Sequence, residues 1–167
     1  TVDRAISRNR LKSIVKQVRT GKYPKVYFLH GYLKDEEVSS LYKHPKVKGL
    51  ISLTHGEGFG LPFLEAAACG LPVCATNWSA HTEFLNLGDW TKIPCRVEPV
   101  PHAKIDGNIF VHGAKWANPD MQAARETISK FVDDEKPSTE KLKNIVIKKY
   151  SQSKINEYYD KFRKRWL

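Results

Sequence analysis

From Leu61 to Trp78 a single residue, Glu65, carries charge. This stretch, "LPFLEAAACGLPVCATNW", follows the apolar run "VKGLISLT" (47–54) across the glycine-rich turn "HGEGFG" (55–60). Pro62 suits a first helical turn and Gly70 a helix end, so residues 61–70 read as a helix. "LPVCATN" (71–77) reads as a strand, and so does 47–54, which is expected to be buried on both faces. Strand, glycine turn, apolar helix and strand with short connections make a βαβ unit. Such a unit demands a parallel sheet with helices on its faces.

The flanks carry the same alternation. Residues 3–20 place Ile6, Leu11, Ile14, Val15 and Val18 near helical spacing, with Gly21 as a stop. "KVYFLH" (25–30) is a short β-rich run. Residues 34–44 predict a polar helix with Val38 and Leu41 inward, ended before Pro45. From 84 to 117, Trp90, Pro94, Pro99, Pro101, Gly107, Gly113 and Trp116 punctuate runs such as "IFVHG". These predict a long excursion with one or two strands. A helix over 118–134 follows, with Asn118 as cap, Pro119 in the first turn and Asp120 near the positive end of the dipole. Met121, Ala124, Ile128 and Phe131 form its expected inner stripe. Residues 138–150 and 153–167 predict two more helices.

A chain of 167 residues has the size of one domain and can bury a core. Its net charge of +10 would attract nucleic acid, anionic lipid or phosphorylated small molecules, or serve only as a solvated surface. The basic residues are scattered, and no RNP-type or helix-turn-helix pattern supports nucleic acid. No run is apolar enough to span a membrane. "TVDRAISRNR" lacks the apolar core of a signal peptide, and the missing initial Met suggests processing or a piece of a longer chain. Cys69, Cys74 and Cys95 show no CxxC or Cys/His ligand spacing, which predicts free thiols in a reducing compartment and no metal site.

A turn joining a parallel strand to a helix leaves backbone N–H groups and the helix dipole facing a crevice. Gly56, Gly58 and Gly60 would let that backbone approach a ligand, or would only make the turn tight. The glycines read GxGxG, the next strand ends at Asn77 rather than an acidic residue, and GK[ST] is missing. Neither the dinucleotide fingerprint nor a Walker loop fits. Burying an unpaired carboxylate costs several kcal/mol. Glu65 therefore either faces solvent or accepts hydrogen bonds, and a ligand's vicinal hydroxyls would supply them, as a ribose does elsewhere. His55 and His81 flank this crevice; His55 could reach a phosphate or sugar or be structural, while His81 and Glu83 have less claim to function. No serine nucleophile elbow appears.

Glu57 and Glu65, with seven residues between them in "EGFGLPFLEAAACGLPVCAT", resemble the E-x7-E signature of the retaining glycosyltransferases of family 4. The likeness extends to "LY" (41–42), "NWSAHTEF" (77–84) and "WANPDMQAARETI" (116–128), and "YSQSKINEYYDKF" (150–162) is similar to that fold's closing helix. The resemblance implies a Rossmann-like three-layer α/β/α domain with a mainly parallel sheet. Residues 1–167 would be one donor-binding domain, the C-terminal half of a two-domain B-type enzyme whose N-terminal acceptor domain lies outside the chain.

It further implies that Glu57 acts in catalysis on the transferred sugar and that Glu65 holds the ribose. Gly58, Phe59, Gly60 and Leu61, with His55 beside them, would line sugar and diphosphate. The Arg or Lys pair that neutralises the diphosphate in such enzymes has no match here. The implied substrate is a nucleotide-diphosphate sugar such as a UDP- or GDP-sugar, used without metal or other cofactor in the cytoplasm. The rival readings are a noncatalytic nucleotide- or sugar-binding module and, further behind, a basic nucleic-acid-binding domain. In the tail, Tyr158 or Tyr159, Phe162 and Trp166 share a helical face among Lys161, Arg163, Lys164 and Arg165. That helix is expected to dock on the missing domain, with peripheral contact to an anionic membrane as the alternative.

Overall fold

Four residues, Val73–Thr76, form the buried middle strand of a three-stranded sheet. The computed structural model describes residues 2–19, 21–133 and 136–166. Its elements run α1 (Val2–Val18), α2 (Asp35–Tyr42), β1 (Leu50–Ser52), α3 (Leu61–Ala68), β2 (Val73–Thr76), α4 (His81–Leu85), β3 (Thr91–Ile93), β4 (Cys95–Pro99), β5 (Lys115–Pro119), α5 (Met121–Val132), α6 (Glu140–Tyr150) and α7 (Gln152–Trp166). The expected helix limits at Thr20, Asp134 and Leu167 lie outside the described residues.

β1 and β3 flank β2, both parallel to it, with Leu50 opposite Val73 and Cys74 opposite Thr91. Strand side chains alternate between faces, and β2 feeds two cores. Val73 and Ala75 pack with Phe63, Ala66 and Ala67 of α3, Phe84 and Leu85 of α4, and Leu142 and Val146 of α6. Cys74 packs with Ile93 and with Ala124 and Phe131 of α5. Burial pushes the Cys74 thiol up to about 11, so it stays protonated and inert at neutral pH. All three cysteines are free thiols.

Thr1–Val38 and Ser39–Leu167 are separate compact units. In the first, α1 and the segment after it border a groove of about 770 Å³ lined by Arg8, Lys12, Lys16 and Lys25 beside Leu11 and Tyr27. Residues 25–30, the β-rich "KVYFLH", form no strand, and all of them are exposed. A strand exists only through a hydrogen-bonded partner, and none of the described strands pairs with this run.

Other expectations need correction. β1 is an edge strand, and its Ile51 is 40% exposed, so 47–54 is not buried on both faces. Tyr42 rather than Leu41 turns toward the core from α2, with Val38 half-buried. The excursion holds more strand than expected. β3 extends the parallel sheet, β4 pairs antiparallel with β5, and "IFVHG" is not strand. Asn118 and Pro119 close β5, where they pair with Arg96 and Cys95. The α5 cap is therefore Asp120, whose carboxylate accepts from the amides of Gln122 and Ala123, each at 3.0 Å. Met121 is exposed, leaving Ala124, Ile128 and Phe131 as the inner stripe.

Candidate functional site at the turn before the third helix

The turn leaves β1 through Thr54, whose hydroxyl donates to the Gly56 carbonyl at 2.9 Å and accepts from the Gly56 amide at 3.2 Å. His55 is tied to β5 twice. Its backbone carbonyl accepts from the Ala117 amide at 2.9 Å, and its ring Nδ1 lies 2.7 Å from the Ala117 carbonyl. A carbonyl only accepts, so this bond assigns the proton to Nδ1 and leaves Nε2 with a lone pair in the neutral ring. The ring stacks on Trp116 at 4.2 Å and 10°. His55 is thus an oriented, solvent-exposed imidazole.

Glu57 is half-buried, between Gly56 and Gly58. Gly56 lies under Trp78, whose ring a Cβ at Gly56 would meet at 3.2 Å, whereas nothing lies within 4 Å of a Cβ at Gly58. Gly60 is buried with φ +88, and a Cβ there would come within 2.8 Å of His81 and 3.0 Å of Phe63. Only glycine combines that left-handed backbone with that contact. Its carbonyl accepts from the amides of Phe63 and Leu64, which starts α3.

The amides of Gly58, Phe59, Gly60 and Leu61 make no hydrogen bond to any described residue. A buried N–H without a partner is costly, and Gly60 is buried. Four consecutive donors at a helix N-terminus form a site for anionic oxygen.

α3 buries Phe63, Ala66 and Ala67 on one side. Leu61 and Glu65, one turn apart, share the opposite, exposed face. Glu65 is therefore not the buried carboxylate in need of protein donors; the lack of charge around it reflects small residues packed on one side of the helix. With Leu64, Ala68, Val146, Ile147 and Tyr150 it borders a depression of about 250 Å³. Burial and then the Glu65 charge raise the Tyr42 hydroxyl above its ordinary range. Phe59, 41% exposed, leans on Phe84 and Tyr150 at ring separations of 5.6 and 6.2 Å.

His81 does not reach open space. It is fully buried, donates from Nε2 to the Thr76 carbonyl at 2.8 Å, and packs against Phe63 at 4.6 Å. It supports the turn from beneath, while Glu83 is exposed on α4.

The arrangement is a strand-to-helix turn with free amides, one half-buried carboxylate and one exposed carboxylate. Residues 7–152 match the family model of the glycosyl transferases group 1. The chain belongs to this family. This group 1 glycosyltransferase chain is also similar to the O-antigen chain mannosyltransferase B of Escherichia coli, at 38% identity over 55 residues. That stretch is 33% of the chain and 14% of the relative, so the chain matches only a small part of that protein's length. No solved structure matches. No group of three or more metal-ligating side chains comes together among the described residues. No helix among them is long and apolar enough to cross a membrane.

Three residues at the glycosyltransferase turn escaped the reading of the sequence: Thr54, Ser79 and Trp116. Trp116 and Ser79 fall within the stretches that carry the family likeness, but their partners lie far away along the chain. Ser79 sits 22 residues from Glu57, and Ala117, next to Trp116, sits 62 residues from His55. Only the fold brings them together.

Proposed function

We propose that this domain binds a nucleotide-diphosphate sugar at the 55–61 turn, as the donor half of a retaining, family 4 glycosyltransferase of the two-domain B-type fold. The observation that carries the reading is the row of unpartnered amides at 58–61, at the start of a helix that follows a parallel strand. The amides and the helix dipole hold the diphosphate, and they stabilise it as it departs with added charge. Glu57 meets hydroxyls of the transferred sugar. Glu65, exposed one turn into α3, is free to accept from the ribose diol, and His55 presents Nε2 beside them. The mannosyltransferase likeness puts a mannosyl donor first among those to try. The two cores fed from alternate residues of β2 support a Rossmann-like α/β/α layering for one donor domain over 1–167.

The acceptor and the other wall of the site come from an N-terminal domain outside this chain, and the enzyme works in the cytoplasm without metal or cofactor. Tyr159, Phe162 and Trp166, each more than 60% exposed on α7, are the surface offered to that domain, with an anionic membrane as the rival partner.

The test is a thermal-shift and calorimetric screen of UDP-, GDP- and ADP-sugars. A bound donor raises the melting temperature of the chain, with or without EDTA, because it binds only the native state. Glu65→Gln lowers donor affinity by about 1–3 kcal/mol through loss of a charged hydrogen bond and leaves the unliganded melting temperature in place. No stabilisation by any nucleotide at millimolar concentration sinks the reading. Donor binding in a longer chain that transfers no sugar to any acceptor would leave only the noncatalytic module.

A further inference from the structure

We propose that Ser79 is a positioning residue that fixes the Glu57 carboxylate for the donor sugar by clamping the Glu57 backbone. The proposal rests on the donor-site reading of Glu57. The Ser79 hydroxyl accepts from the Glu57 amide at 2.9 Å and donates to the Glu57 carbonyl at 2.8 Å. A hydroxyl has one proton and two lone pairs, so both bonds form at once and each role is fixed. Both peptide groups that set the direction of the Glu57 side chain are therefore held by one oxygen.

Glu57 needs such a clamp. Its neighbours are Gly56 and Gly58, the residues that restrict a backbone least, and the space beside Gly58 is open. A carboxylate on an unrestrained Gly-Glu-Gly segment would have to be ordered each time a sugar bound, and that ordering would subtract from affinity. The chemistry also needs the carboxylate held close to one geometry before the reaction.

The clamp is kept at a conformational cost. Ser79 has φ +89, and among the described residues it alone adopts a positive φ without being glycine. Glycine would take that backbone without strain. A side chain is retained where its backbone disfavours one, and that side chain does one thing, which is to bridge Glu57. Strain of this kind concentrates where function demands it. Thr82 secures the strained residue from the far side, since its amide and its hydroxyl both donate to the Ser79 carbonyl, at 3.1 and 2.7 Å. The line of force runs from Thr82 through Ser79 to Glu57.

The experiment compares Ser79→Gly, Ser79→Ala, Glu57→Gln and the Ser79→Gly/Glu57→Gln double variant in the 167-residue chain. Calorimetry is run with the best-binding nucleotide sugar and with its nucleoside diphosphate. Ser79→Gly relieves the left-handed strain, so its melting temperature does not fall. Its affinity for the nucleotide sugar drops about tenfold, while affinity for the nucleoside diphosphate, which lacks the group Glu57 meets, stays within about twofold. Ser79→Ala keeps the strain and loses the hydroxyl, so it shows the same affinity pattern with a lower melting temperature. In the double variant Ser79→Gly adds nothing to Glu57→Gln, because the two act as one unit.

Unchanged nucleotide-sugar affinity in Ser79→Gly, with Glu57→Gln weakened, overturns the clamp and leaves the donor site standing. Equal losses for nucleotide sugar and nucleoside diphosphate also overturn it, since the role would then be general support of the turn. If Glu57→Gln does not separate the two ligands, the donor-site assignment of Glu57 has failed and the clamp fails with it.

Discussion

Two of the loops that carry glycines with positive φ, the 55–61 turn and the 106–113 excursion, are built on opposite plans. The 55–61 turn is held from outside. Trp78 covers Gly56, Ser79 bridges Glu57, His81 backs Gly60, and Ala117 grips His55. The tip of the 106–113 excursion holds itself. One carboxylate oxygen of Asp106 accepts from the amides of Asn108, Ile109 and Phe110 at 2.9, 2.9 and 3.0 Å. Nothing lies within 4 Å of a Cβ on Gly107 or Gly113. In the first loop glycine allows close approach; in the second it only allows a turn. The first plan leaves its amides free for a ligand, and the second spends its amides on its own side chain.

The largest expected effect tests that contrast directly. Gly60→Ala must place a Cβ against His81 and Phe63 on a left-handed backbone, at a cost of about 1–2 kcal/mol for the backbone and about 1–3 kcal/mol for the overpacking. Gly107→Ala meets the backbone cost alone, about 1–2 kcal/mol. Urea unfolding of the two variants should separate them by at least the overpacking share. Equal losses would mean that His81 and Phe63 move aside and that the turn is not braced as described.

What the sequence disclosed follows the same division. The apolar helix α3, the glycine turn before it and the buried strand β2 after it were legible because each is a local pattern of a few residues. The sequence leaves Glu65 open between solvent and a ligand, because a stretch without charge suggests burial all round, whereas Phe63, Ala66 and Ala67 need only one side of the helix and leave Glu65 exposed. β3 and β4 hid among prolines, since Pro94 and Pro99 break the pattern without breaking the sheet: Pro94 lies between the strands and Pro99 ends one. Asn118-Pro119 looked like a helix start because the real cap, Asp120, follows at once. The bridge from Ser79 to Glu57 had no local signal of any kind. The two carboxylates of the candidate site can thus be read from the sequence, and the hydroxyl that bridges the Glu57 backbone cannot.

A smaller effect distinguishes free amides from spent ones. Hydrogen exchange followed with and without a donor nucleotide should slow by about tenfold or more at residues 58–61, because bound phosphate oxygens would accept from those amides. The amides of Asn108, Ile109 and Phe110 already have an acceptor in Asp106 and should not change. Protection at 108–110 with none at 58–61 would move the candidate site from the turn to the excursion.

The smallest effect lies in the excursion alone and depends on pH. Hydrogen bonds from the amides of Asn108, Phe110 and Ile109 hold the Asp106 carboxyl below its ordinary range. A depressed folded-state value means that the native loop favours the ionised form. Its contribution is present at pH above the ordinary carboxyl value and is lost as pH falls through the lowered one. Protonation removes the charge that three amides share, so the tip should open in acid while the braced turn, which uses neutral Ser and Thr hydroxyls, keeps its geometry. Amide chemical shifts followed by NMR from pH 6 to pH 2.5 should therefore move together at 108–110, with a midpoint under the usual aspartate value, and Asp106→Asn should abolish that titration. Asp106 is exposed and its bonds are local, so the melting temperature should hardly respond to the substitution. A large loss of global stability in Asp106→Asn would show that the excursion leans on the rest of the fold and would erase the contrast between the two loops.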